Sequence, residues 1–450
     1  VVLQFAKDWR TIVKKWGESI NNNFTPLEDL VLGDCSHLGK ISPDEFAKTL
    51  CSDQLGPDLG RVGFKFIRDM LVGIERAQSV NLTAITNALC EGIRPHATHK
   101  RLSRNLENPE LSQNFSDRLL KLGAAQVGKD TRLIVHMYEL NKKYARKVEY
   151  LPSVENGESS GFRVCGIVAN DIGSQNYVPL LASVWSEDVP GYVSDTEEIK
   201  KVLYRVSDAT GNRGMFYFDD KSVDDALLSP LLEEPSLNFV MWQRSDASVV
   251  YRNKTCSIQE VADSVETAYG KMMFKLVPKG VSGTSIDARI AGVEEAALHS
   301  IAARNVTDLD FDLFVHAGVT AIKSTEAGTS HRLIALKTKN RLIGEVVVPL
   351  ITSAEDLRSR KALMGLVDSC LTIQDTLQAH HTLLERFDPA SFRVLTYSRL
   401  QFLMSLLQAV MYYEVSVAEK VSVEDHQISS NPHDGDLDRT YYLPDKESAL

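Results

Sequence analysis

Any chemistry in this 450-residue chain must come from a few histidines, carboxylates and basic clusters. His136 lies inside the apolar run Arg132 to Tyr138, and Asp219 directly follows Gly214 to Phe218. His380 and His381 stand side by side. Imidazole and carboxylate together suit transition metals, so His136, Asp219 and His381 could form such a site. A surface or core role for the histidine pair is the plainer alternative, and it stays open on sequence. Magnesium fits less well, because it prefers oxygen and His136 offers nitrogen. Glu139, Asp220, Asp224 and Asp375 are the other carboxylates near the same elements. Two basic stretches could meet phosphates. One holds Arg94, Lys100, Arg101 and Arg104 with two histidines, in what reads as a loop between helices. The other holds Lys142, Lys143, Arg146 and Lys147. A solvated surface is the bland reading of both. Neither a Gly-rich phosphate loop nor a Ser-His-Asp arrangement can be defended. Thr210 to Gly214 has two glycines and precedes a strand, so it reads as a turn.

Composition narrows the classes further. The chain is 43% hydrophobic and 24% charged, which gives ample core and excludes wholesale disorder. With 50 Lys plus Arg against 60 Asp plus Glu, the net charge is −10, weakening any default reading as a nucleic-acid binder. The tail from Val421 carries seven acids and two bases without periodicity, and is expected to be disordered. Six cysteines, Cys35, Cys51, Cys90, Cys165, Cys256 and Cys370, lie far apart with no zinc spacing. They read as buried thiols of a reducing, cytoplasmic environment. No apolar run approaches a membrane span, so no membrane role is expected. The opening VVLQFAKDWR is too charged for a secretion signal, and its first residue reads as a trimmed or non-ATG start.

The elements that must position these residues follow from hydrophobic periodicity. Residues 1 to 128 read as a helical domain. Phe64, Ile67, Met70, Leu71 and Ile74 form one face, and further helices are expected at Asn81 to Leu89 and Asn105 to Leu122. From Thr131 the order is three strands, helix, strand, helix, strand. That is the order of a ribonuclease-H-like α/β core with a mixed sheet, here over 129–244. A β-rich insertion is expected over 245–350. Core helices return at Ala354 to Glu385 and at Tyr397 to Ala418, within 351–420, before the acidic tail 421–450.

Several segments carry a resemblance: FIRDMLVGIERAQSVNLTAI, HATHKRLSRNLENPEL, KKYARKVEYL, TGNRGMFYFD, SRKALMGLVDSCL and RFDPASFRVLTYSRLQFL. In this order they resemble the framework of the DDE-type cut-and-paste transposases of bacterial insertion sequences, over most of residues 60 to 415. The resemblance implies a ribonuclease-H-like fold, DNA as substrate, and magnesium held by three carboxylates. Two metals roughly 3.5–4 Å apart would activate water and stabilise the leaving oxygen.

The same resemblance shows what has been lost. The first-strand aspartate is matched by His136. The second carboxylate is matched by Asp219, with Asp220-Lys221 in place of the usual Arg-Gly. The third motif, Y-x2-R-x3-E-x6-K, falls on Cys370, Ile373, Leu377 and Leu384, and its adjoining Trp on Gln374. Those four positions are spaced by 3, 4 and 7, one helical face turned into an apolar stripe. His136 then reads as a satisfied core histidine and Asp219 as a helix N-cap before Ser222 to Leu228.

The expectation is a pseudoenzyme with no intact catalytic residue, no metal and no cofactor. Three uses stay open: a repurposed DNA-binding or regulatory protein, gripping double-stranded DNA weakly; a protein-interaction module or homodimer; and a transposase or nuclease with a relocated metal site.

Overall fold

The computed structural model describes residues 42–141, 147–152, 161–171, 176–218, 227–242, 247–269, 271–276, 311–340, 344–355 and 357–428. Asp219, Asp220, Asp224, Lys142, Lys143, Arg146 and the tail 429–450 lie outside them. Strand β1 (Thr131–Asn141) is buried along its first six residues, as a strand covered on both faces must be. It pairs antiparallel with β2 (Gly161–Asp171), and β2 with β3 (Tyr177–Trp185). On its other side β1 runs parallel to β4 (Met215–Phe218), and β4 to β5 (Phe239–Trp242). The resulting order, β3-β2-β1-β4-β5, is the mixed sheet expected from the succession of elements.

Helix α6 (Asp195–Thr210) is bounded as its sequence dictates. Ser194 caps its first turn by accepting from the Glu197 N–H, and Gly211 ends it at φ 61°. Its apolar stripe, Ile199, Val202, Leu203 and Val206, is buried against the face of β1 that holds Leu133 and Val135.

The segment read as an insertion is β-rich, and its strands continue the core sheet. β11 (Gly344–Thr352) pairs antiparallel with β5, followed in the sheet by β10 (Ser330–Asn340) and β9 (Phe311–Lys323). β6 (Ser248–Tyr251) and β7 (Lys254–Ser257) close that edge, and β8 (Lys271–Leu276) also pairs with β9. Helix α8 (Ile258–Ser264) was not foreseen, although its signal was present. Ser257 and Glu260 form a reciprocal capping box at its start.

Before the sheet come α1 (Pro43–Leu50), α2 (Gly60–Ala77), α3 (Leu82–Leu89), α4 (Pro95–Asn105) and α5 (Pro109–Ala124). Helix α4 corrects the reading of a basic loop. Only Thr98 and Leu102 are buried on it, one turn apart, so its apolar stripe is too narrow to register as periodicity. A five-residue helix, α7 (Leu228–Leu232), follows β4 and α6.

After the sheet, the single helix expected over Ala354 to Glu385 is two: α9 (Arg360–Leu371) and α10 (Ile373–Arg386). They divide at Thr372, whose hydroxyl accepts from Arg132 Nη1 at 2.6 Å. The last helix, α11 (Tyr397–Ile428), runs past its expected end into the segment read as disordered. No Gly or Pro interrupts Val415 to Ile428, so nothing local stops it. Phe402 on α11 places its ring 5.5 Å from Phe66 of α2 and 5.8 Å from Phe115 of α5. The helices before residue 128 therefore share one core with the C-terminal helix. Among the described residues no helix is long and apolar enough to cross a membrane.

Candidate functional site

Successive residues on a strand point to opposite faces, so Arg132, Ile134, His136 and Tyr138 share the face of β1 that looks toward α9 and α10. Arg132 fixes where those helices meet. It is buried, and donates to the Ser369 carbonyl at 3.1 Å, to Thr372 Oγ1, and to Asn170 Oδ1. The α9–α10 junction is thereby held over the start of β1.

Helix α10 then carries His380 and His381 to His136. The His136 ring centroid lies 4.9 Å from that of His380 and 5.2 Å from that of His381. Tyr138 stacks on His136 at 5.7 Å, and Tyr177 of β3 meets His380 edge-on at 5.7 Å. His136 is fully buried and His380 nearly so, at 0% and 1% exposure, while His381 is half-buried. Burial carries the His136 imidazole well below its ordinary range, reinforced by its two histidine neighbours. Burial, with His381 adding to it, pushes His380 down to about 3.

His136 is a core histidine, as expected, but not a satisfied one. Neither of its ring nitrogens has a hydrogen-bond partner among the described residues, nor does Nδ1 of His380 or the Tyr138 hydroxyl. The ring fits because its partner across β2 is Gly166. A Cβ there would lie 2.3 Å from His136 Nε2. We therefore expect Gly166→Ala to cost about 1–3 kcal/mol through overpacking. Combining it with His136→Ala should return a good part of that cost, giving a coupling of at least about 1 kcal/mol in urea unfolding. Strict additivity would show that the two residues do not compete for the same space.

The four positions that the resemblance sets against the third motif are all buried. Cys370, Ile373 and Leu377 pack with Ile134, Tyr217 and Trp242, and Leu384 joins the neighbouring cluster with Phe387 and Phe392. The break at Thr372 puts Cys370 on α9 and the other three on α10. Described β4 ends at Phe218, opposite Val135 of β1; Asp219, and with it the N-cap reading, lies outside the described residues. Of the metal alternative, His136 and His381 are adjacent. Among the described residues, no group of three His, Cys, Asp or Glu side chains is placed to hold a metal ion.

The basic residues divide into two sets. Arg94, Lys100 and Arg104 are exposed at the start and along the outer side of α4, Lys100 and Arg104 one turn apart. Arg101 instead turns inward, its guanidinium 2.7 Å from Asp69 and 2.8 Å from Glu91. Lys65 joins the same two carboxylates, and Thr98 donates to Glu91 at 2.6 Å. Although desolvation opposes it, hydrogen bonds from Thr98, Lys65 and Arg101 hold Glu91 down to about 2. That network joins α2 to α4, so Arg101 is removed from the phosphate-facing set. Lys147 is exposed, and its three basic neighbours lie outside the described residues.

The sequence reading missed Arg132, Tyr138, Tyr177 and Gly166. Tyr138 was legible, two residues from His136 on one strand. Gly166 and Tyr177 depend on strand register, which composition does not carry.

No family model and no curated protein matches this chain. Among solved structures it is similar to the piggyBac transposase synaptic complex with hairpin DNA. The identity is 10% and the TM-score 0.38, over 84% of this chain and 70% of that one.

Proposed function

We propose that this protein is a catalytically silent relative of DDE transposases that binds double-stranded DNA without cutting it. The observation that supports the reading is the burial of two positions that the resemblance assigns to carboxylates. Leu377, where the resemblance puts the third carboxylate, is 3% exposed in an apolar cluster. His136, where it puts the first, is sealed beneath Tyr138 and α10. An apolar side chain supplies no ligand, and a magnesium pair needs several oxygens.

DNA binding is supported by α4. From Gly92 to Leu106 there is no Asp or Glu, and Arg94, Lys100 and Arg104 are exposed, in a chain whose net charge is −10. Helix α4 packs against α3 across a short turn, with Cys90 in the left-handed region at φ 46°. A second helix presented this way, bearing outward cations, is an arrangement able to lie along a duplex.

The test is a salt titration of duplex binding by gel shift. Wild type should bind at low ionic strength and weaken steeply as salt rises. The variant R94A/K100A/R104A should flatten that log–log slope by about 2–3, one for each phosphate contact removed. Absence of salt-sensitive binding by the wild type would refute the DNA reading.

A further inference from the structure

His136, His380 and His381 form a cluster that joins two elements of the fold. One imidazole comes from β1 and two from α10, so the three meet only while α10 lies on the sheet. Their ring centroids are 4.9 to 6.1 Å apart. His136 and His380 are shut away from water, with three orphaned ring nitrogens between them among the described residues. A proton added there creates a desolvated cation beside further imidazoles.

Among the described residues, the groups placed beside His136 and His380 are two phenols, a thiol and a cation. β1 contributes the Tyr138 phenol, β3 the Tyr177 phenol, and β2 the buried Cys165 thiol close to Tyr138. Helix α10 adds Arg386, a cation near Tyr177 that is paired with Glu414 of α11 at 2.7 Å, while its carboxylates Asp375 and Glu385 are exposed. The turn Pro389–Ser391 lies against β1, and the Asp388 before it is exposed. Beside β1, described β4 ends at Phe218, with Asp219 beyond the described residues.

We propose that α10 is a proton-released latch, docked on β1 while the three imidazoles are neutral and freed from the sheet when they take up protons. Release exposes the face of β1 that holds His136 and withdraws Leu377 from its cluster. The proposal rests on the packing of α10 alone and is independent of whether the protein binds DNA.

Hydrogen exchange of the full chain between pH 7.5 and 5.5, corrected for the intrinsic pH dependence of amide exchange, tests it. Below histidine's ordinary range, α10 should open about tenfold more readily per pH unit for each proton taken up. Helices α2 and α11 should keep their rates. The variant H136N/H380Q/H381Q should lose the response. H381Q alone, at the half-buried position, should reduce it, which keeps the test decisive if the triple variant does not fold. The proposal is overturned if α10 exchanges in step with α2 and α11, or if its rates do not change. It is equally overturned if the response is undiminished in the variants. Saturable protection of α10 by Zn²⁺ at pH 7.5, lost in the same variants, would make the cluster a metal site and overturn the latch.

Discussion

Leu377→Glu should destabilise this protein by several kcal/mol, at least as much as the about 2–5 kcal/mol expected of Leu377→Ala. Leu377 is packed among Ile134, Cys370 and Ile373 and all but sealed from solvent. Truncation to alanine leaves a cavity. Glutamate does worse, bringing a carboxylate into an apolar cluster. It must either remain protonated or force the helix away from the sheet. The resemblance makes this substitution informative, because glutamate is what an active transposase carries there. In an open metal pocket the change would be accepted within about 0.5 kcal/mol, as at ordinary surface positions. Urea unfolding separates the two outcomes.

Phe402→Ala is expected to cost about 3–5 kcal/mol, as for other fully buried phenylalanines. Its ring is the meeting point of α2, α5 and α11. The cost should therefore appear as one cooperative transition shifted to lower denaturant, seen alike by probes in the N-terminal helices and in the sheet. Two separated transitions, with the N-terminal helices unaffected, would show that they form a core of their own. The shared cluster argues otherwise, since Phe46, Phe66 and Phe115 pack with Leu403, Leu407 and Met411 from the far end of the chain.

The core of the fold was legible because its strands are strongly apolar and separated by turn residues. Arg132 to Tyr138, Phe162 to Val168 and Tyr177 to Trp185 all fall within observed strands, and the stripe of α6 is buried as its spacing requires. What composition could not carry was pairing. That β11 joins β5, and so extends one sheet across the supposed insertion, is set by register between segments about 110 residues apart. Helix α4 was hidden by its polarity, and the division at Thr372 by a buried arginine from another element. At the candidate site, His136 and the apolar stripe were readable as types. The convergence of His380 on His136, the glycine that makes room for the ring, and the diversion of Arg101 to Asp69 and Glu91 are tertiary facts. Asp219 lies outside the described residues, so its part rests on sequence alone.

Binding without cutting is the property that separates this protein from an active transposase. Its most direct test is to incubate the purified protein with supercoiled DNA, at low salt and saturating protein, with Mg²⁺ or Mn²⁺. The gel shift should form while the DNA remains supercoiled. Nicked or linear product that depends on the protein and disappears in Asp219→Ala would contradict it.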